Sequence, residues 1–276
     1  MKNLWTSARL RWLAAAWLMV NGFFPLLWMV LTSFKAESEL VAKPITWWPQ
    51  HATFEHYVGA FTTQPLLRYL SNSLIVASVS TLTSLFVATC AAYAIARLNL
   101  RRRQWVLTAI VASSMFPIIT LLVPIFETMR SLNLLNTYTA LVIPYTVINM
   151  PVCTLVLVSF FQSIPRDLEN AAMIDGCSRV GALWRIVLPL AAPGVFTAGI
   201  LAFVNAWDEF LLALSLNSAA AMRTAPVGIA MYQGEFTFPW PVISAALVVT
   251  VIPVALLIVF FQERVIGGLT EGGLKG

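Results

Sequence analysis

Charge-free apolar runs dominate the chain, and short polar breaks set them apart. They run Trp12–Phe34, Tyr69–Ala96, Gln104–Phe126, Ser131–Ser163, Ile186–Trp207 and Phe236–Gln262. A helix needs about 20 residues to cross the roughly 30 Å of hydrocarbon in a bilayer, so each run is long enough to span it. Barrel strands would instead show about ten residues of alternation, which these unbroken runs do not. The pattern predicts an all-α integral membrane fold of about six transmembrane helices. The fourth run exceeds one span and predicts an external lead-in as far as about Tyr138. The end of the fifth is left open between Trp207 and the far side of the acidic pair Asp208–Glu209. Prolines mark expected kinks: Pro117 and Pro124 in the third span, Pro144 and Pro151 in the fourth, Pro189 and Pro193 at the start of the fifth, Pro253 in the sixth. Each removes a helix donor and frees a carbonyl, as suits helices that wrap around something or move against one another.

Composition agrees with that picture. Of 276 residues 59% are hydrophobic and 11% charged, far from the roughly 25% charged residues of soluble domains. The first run follows a basic segment but is too long for a signal-peptide core and has no convincing cleavage site after it, which predicts a retained first span. With the N-terminus inside, the inner face collects Lys2, Arg9, Arg11, Arg97, Arg101, Arg102, Arg103, Arg166, Arg179, Arg185, Arg264 and Lys275, against Lys35, Lys43, Arg68, Arg130 and Arg223 outside. The RLNLRRR cluster at 97–103 is the strongest anchor, and both termini are predicted to be cytoplasmic. The net charge of +5 is then mostly an orientation signal and calls for no nucleic acid. The predicted organisation is a cytoplasmic N-terminus at 1–11, a transmembrane domain at 12–262 and a cytoplasmic tail at 263–276. An external cap occupies 35–68 and an inner loop 162–185.

Candidate chemistry is sparse. Cys90, Cys153 and Cys177 are read as small packing residues, with no disulfide among them. His51 and His56 in the cap stand five apart, the wrong spacing for one helix face, so no metal site is expected. The prolines and aromatics of the cap, Trp47, Trp48 and Tyr57 among them, suit a structured element at the membrane interface. A second ledge is expected over 216–240. Asn205, Trp207, Asp208 and Glu209 form the most unusual feature within the spans. They either brace helices at the membrane edge or line a translocation path or its gate. Asp208 and Glu209 are adjacent, so one helix cannot aim both at one site, and a paired acid–base catalyst is a poor fit.

The polar loop between the fourth and fifth runs carries more information. Pro165 opens it, and Asp167 and Glu169 are suited to a helix first turn. Leu168, Ala171, Ala172 and Asp175 share one narrow face, to which a partner could come close. Gly176 can end this helix in the left-handed conformation, and Ser178 can cap a second one that contains Trp184. The prediction is a compact helix-turn-helix knob facing the cytoplasm.

This loop resembles the signature loop of ABC-type import permeases, whose pattern is Glu-Ala-Ala, three residues, Gly, nine residues, Ile, one residue, Leu-Pro. The chain has Asn170-Ala171-Ala172, Gly176, Ile186 and Leu188-Pro189 at those spacings, and Asn170 is the departure. Similarity extends over nearly the whole chain and is to the carbohydrate-importing branch, near the smaller permease subunit of maltose-type transporters. It is carried by SFK at 33–35, NSLIVA at 72–77, AAYAIAR at 91–97, FPII at 116–119, FFQSIP at 160–165, NAWDEF at 205–210 and GLTEGGLKG at 268–276. The resemblance implies that Leu168, Glu169, Asn170, Ala171, Ala172, Asp175, Gly176 and Arg179 couple to an ATPase. It also implies that the tail, through Gly272, Gly273 and Lys275, reaches between two ATPase subunits as a thin extended insertion.

The chain contains no G-x-x-x-x-G-K-[ST] segment, so ATP hydrolysis is expected on separate subunits. No cofactor is expected on this chain, with ATP and Mg held by the partner ATPase. The implied partners are a second homologous permease, two ATP-binding subunits, an external solute-binding protein and a sugar, placed at a prokaryotic inner (plasma) membrane. The implied substrates are maltose- or trehalose-like oligosaccharides. Half of an ion-driven secondary transporter and a non-transporting scaffold with a docking knob are the alternatives. Against the first stand the lack of other buried acids and of an evident inverted repeat. An integral membrane enzyme would need a metal or nucleophile motif, and none is found.

Overall fold

The computed structural model describes residues 8–98, 100–234 and 238–273, with side chains from 10 to 261 among them. Two units are compact by their own contacts, 1–67 with 228–252, and 68–227 with 253–276. Among the described residues four helices are long and apolar enough to cross a membrane, and two bent helix pairs raise the number to as many as six.

The first unit holds α1 (Ala8–Phe34), the short helices α2 (Glu37–Leu40) and α3 (Glu55–Thr62), and the opening half of a long last helix. Leu13, Trp17, Val20 and Phe24 of α1 are open to the surroundings, as lipid-facing side chains would be. The cap is ordered by buried polar groups. Lys35 is 2% exposed, donates to the Thr46 carbonyl and lies 4.3 Å over the Trp28 ring. The Glu39 carboxylate accepts from the amides of Gln50 and His51 at 3.0 and 3.1 Å. Ser33 and Tyr57 share a hydrogen bond of 2.8 Å, and Tyr232 donates to the Ala60 carbonyl. The segment is therefore held in a defined structure by its own contacts.

The second unit is built on α4 (Leu66–Arg97), α7 (Tyr138–Ser163) and α11 (Ala192–Asp208). Around them stand α5 (Arg103–Ser114) and α6 (Ile118–Ser131), the short α8 (Arg166–Ile174), α9 (Arg179–Ala182), α10 (Leu188–Leu190), α12 (Leu211–Leu216) and α13 (Ala225–Ala230), and the later half of α14 (Trp240–Gly273). One core joins Ala88, Ala92, Leu157, Phe161, Leu183 and Ala198, and a second joins Val76, Leu141, Tyr145, Phe203, Trp207 and Leu212. Small residues let the helix backbones approach where lipid offers no hydrophobic drive for association. Gly194 shows how close they come: a Cβ there would lie 2.3 Å from the Phe160 ring.

Two expected spans are not straight helices. The third breaks between α5 and α6 with a bend of 88°, because Pro117 has no N–H and disfavours helix at Phe116 before it. The fifth bends by 81° at Ala191, between Pro189 and Pro193. By contrast Pro124, Pro144, Pro151 and Pro253 lie inside continuous helices. The fourth span starts at Tyr138, where Thr137 Oγ1 accepts from the Ala140 amide. The fifth ends at Asp208 and does not pass the acidic pair. Cys153 is buried, whereas Cys90 is exposed and so is not the packing residue expected. The ledge over 216–240 includes α13 and a 3₁₀ turn at Ala220–Met222.

Candidate functional site

α7 stops at Ser163 because Ile164 and Pro165 are both extended, with ψ of 128° and 134°. α8 then starts with Asp167 and Glu169 in its first turn, where carboxylates favour the helix N-terminus. It ends in paired hydrogen bonds from the Gly176 amide to the Met173 carbonyl (3.1 Å) and from the Cys177 amide to the Ala172 carbonyl (2.9 Å). That closure requires a left-handed residue, and Gly176 supplies it at φ +87°. Ser178 Oγ accepts from the Gly181 amide at 3.1 Å and caps α9, which runs into a π-helical turn, Leu183–Val187, holding Trp184. The two helices, the glycine turn and the serine cap match the sequence reading.

α8 has two unlike faces. Leu168, Ala171 and Asp175 are exposed and Ala172 is half-buried, so the narrow face is open for contact. Ile174 and Val180, on either side of the glycine turn at the tip of the segment, are 85% and 66% exposed, and Leu168 in the first turn of α8 is 47% exposed, apolar side chains on an otherwise polar segment. The other face carries Arg166, Glu169, Asn170 and Met173 at helical spacing. With Arg97 and Arg179 they line a polar cavity of about 150 Å³. Asn170 is exposed on its rim and is not part of the narrow face.

Glu169 is the buried centre of this second face, 6% exposed. Its Oε1 accepts from the Tyr93 hydroxyl, and its Oε2 pairs with Arg97 Nε at 3.3 Å. The single Tyr93 hydroxyl proton, directed at Glu169, is also within reach of the Arg179 carbonyl (3.2 Å); Arg97 donates to the Ile164 carbonyl (2.9 Å) and Arg166 to the Ala96 carbonyl (3.2 Å). Removing one member of a buried ion pair leaves the other uncompensated, at a cost of about 3–5 kcal/mol. Tyr93 and Arg97 were missed as site residues, Arg97 being read only as an orientation signal. Their i, i+4 spacing in AAYAIAR, which puts both on one helix face, was the available clue.

The second candidate group separates in space. Trp207 is 2% exposed and stacks on Phe203 at 5.6 Å. Asn205 Nδ2 donates to Asn149 Oδ1 at 2.7 Å. Glu209 lies beyond the helix end, accepting from the Leu212 and Ala213 amides at 2.8 and 3.1 Å and from the Tyr145 hydroxyl at 2.5 Å. It braces the start of α12, while Asp208 is exposed. In the tail, Gly272 and Gly273 close the helix α14 and are not extended as expected. Lys275 lies outside the described residues. No cluster of His, Cys, Asp and Glu that could hold a metal occurs among the described residues.

Comparison with known proteins places this geometry. The family described as binding-protein-dependent transport system inner membrane component matches residues 80–269. The chain is 63% identical over 276 residues to the sulfoquinovosyl glycerol transport system permease protein SmoH of Agrobacterium fabrum, covering 100% of this chain and 97% of that protein. It is 38% identical over 257 residues to the trehalose/maltose transport system permease protein MalG of Thermococcus litoralis, covering 92% and 91%. A chain of a bacterial ABC transporter involved in import of the acidic polysaccharide alginate has the same fold, with TM-score 0.79, 20% identity and coverage of 94% and 97%.

Proposed function

The chain belongs to the family of binding-protein-dependent transport system inner membrane components, and from that premise we propose how it works. It is a permease subunit of an ATP-driven sugar importer, and hydrolysis falls to a partner. In our reading the segment 162–185 is the cytoplasmic coupling element. Its apolar tip and the face of Leu168, Ala171 and Asp175 dock on an ATP-hydrolysing subunit, whose closure moves the spans between inward-open and outward-open arrangements. The observation that carries this reading is the exposure of Leu168, Ile174 and Val180 on a segment otherwise pinned to α4. Both termini then lie in the cytoplasm, and the cap at 35–68 faces a solute-binding protein outside. A second homologous permease completes the pathway, two ATP-binding subunits with ATP and Mg drive it, and the tail near Gly272, Gly273 and Lys275 lies against them. Within this reading Asn205, Trp207 and Glu209 hold the fifth span in shape, and the exposed Asp208 is the member left to face the translocation path.

The substrate is a glycoside. The name of the relative at 63% identity makes sulfoquinovosyl glycerol the first compound to test, and the name of the relative at 38% puts maltose and trehalose beside it. The test is to purify the chain with its co-isolating proteins, reconstitute them in liposomes and measure ATP-dependent uptake of these three compounds. Recovery of an ATPase and a second permease with uptake of at least one supports the reading. Their reproducible absence overturns it.

A further inference from the structure

The backbone around the coupling segment does not by itself make it stiff. Ile164 and Pro165 are extended, so α7 and α8 are not one continuous helix. On the other side α9 passes through a π-helical turn and the 81° bend at Ala191 before α11 begins. A push on the exposed tip would be absorbed at these joints unless side chains locked them. Apolar packing holds the second half of the segment, where Leu183 and Val187 are buried beside α4 and α7 and Trp184 stacks on Phe86, and the polar lock on α8 described above is made with the inner end of α4. Tyr93, Ala96 and Arg97 hold Ile164, Arg166, Glu169 and Arg179 through the bonds given above.

We propose that Glu169 is a positioning residue for transport: through Tyr93 and Arg97 it makes the coupling segment and the inner end of α4 move as one body. Displacement of the tip then reaches α4 directly as well as α11 through the chain. Glu169 suits this role because its Oε1 accepts from the Tyr93 hydroxyl while its Oε2 forms an ion pair with Arg97, 3.3 Å from Nε and without hydrogen-bond geometry, so two residues one helical turn apart on α4 hold α8. Glu169 is largely buried, although it also lines the polar cavity described above. The exposed face of α8 remains free for the partner, so holding and docking are divided between opposite sides of one helix. The inference rests on the proposed coupling function and adds to it the path by which motion leaves the segment.

The experiment uses the complete chain, co-purified with its partners and reconstituted in liposomes, as wild type, Tyr93→Phe, Glu169→Gln and the double variant. Three quantities are read: ATPase recovered with the chain, ATP hydrolysed, and sugar imported per ATP. Tyr93→Phe keeps the ring and loses only the hydroxyl, so it tests the lock even where Glu169→Gln fails to assemble. Assembly and hydrolysis are expected to stay near wild type in Tyr93→Phe while sugar imported per ATP falls about tenfold, within the range of coupling changes along such networks. The double variant is expected to be no worse than the poorer single one, since both break the same lock. An unchanged ratio of sugar to ATP in assembled Tyr93→Phe or Glu169→Gln overturns the lock alone. A wild type that recovers no ATPase or imports nothing overturns both the lock and the coupling function.

Discussion

A polar side chain inside a membrane span is costly wherever it lacks a partner within the protein, and Asn149 shows both cases. It is 4% exposed in the middle of α7; its Oδ1 accepts from Asn205, while its buried Nδ2 has no hydrogen-bond partner among the described residues. Asn205→Ala leaves that oxygen without its partner and is expected to lower the stability of the detergent-solubilised chain by about 1 kcal/mol. Thermal unfolding of the variant against wild type measures this. Asn149→Leu combined with Asn205→Ala removes both partners and is expected to recover most of the loss. The cap offers a test by pH. The Gln50 amide above all holds the Glu39 carboxyl below its usual 4.5; desolvation opposes it, and the His51 amide adds a lesser lowering. A carboxyl lowered on folding contributes stability that is complete above its unfolded pKa and is lost as pH falls through the folded one. Protection of the Gln50 and His51 amides from hydrogen exchange, corrected for intrinsic rates, is therefore expected to decline below about pH 4.5. In Glu39→Gln that protection is expected to be weak and flat with pH.

At the scale of elements, the glycine turn after α8 carries the most specific expectation. Gly176 has open space where a Cβ would go, so its constraint is backbone alone. Gly176→Ala must hold a left-handed residue and is expected to cost about 1 kcal/mol locally. Proline fixes φ near −65° and has no N–H for the Met173 carbonyl, so Gly176→Pro is expected to abolish sugar uptake while the chain still inserts. Uptake and membrane-inserted protein, measured side by side, check both halves. This turn was legible in the sequence because glycine at a helix end has one main use there, and Ser178 two residues on confirmed a second helix. The bends at Pro117 and Ala191 were legible as positions but not as angles. Proline frees a carbonyl wherever it stands, yet Pro144 and Pro151 leave α7 unbroken. For Glu209 the choice between bracing helices and lining a path stayed open for a related reason: its role depends on the helix ending one residue earlier, at Asp208, which hydropathy could not locate. The lock on Glu169 was hidden because burial of a carboxylate depends on a helix more than seventy residues away in sequence.

For the whole molecule, the direction of the chain through the bilayer decides whether the coupling segment can meet ATP at all. Among the described residues four long apolar helices and two bent pairs give an even number of crossings if each pair spans once, which would put the two termini on one side. In the proposed orientation that side is the cytoplasm, as the excess of basic residues near 97–103 predicts. Two positions test the assignment without disturbing any contact described above. Val41 in the cap is 80% exposed, and Arg102 lies at the turn before α5 and is exposed. In a chain whose own three cysteines are replaced by serine, Val41→Cys is expected to react with a membrane-impermeant maleimide in intact cells. Arg102→Cys is expected to react only after the membrane is opened. The reverse pattern would put Glu169 and the exposed tip outside, where no ATP-hydrolysing subunit could reach them, and the coupling function would fall with the orientation.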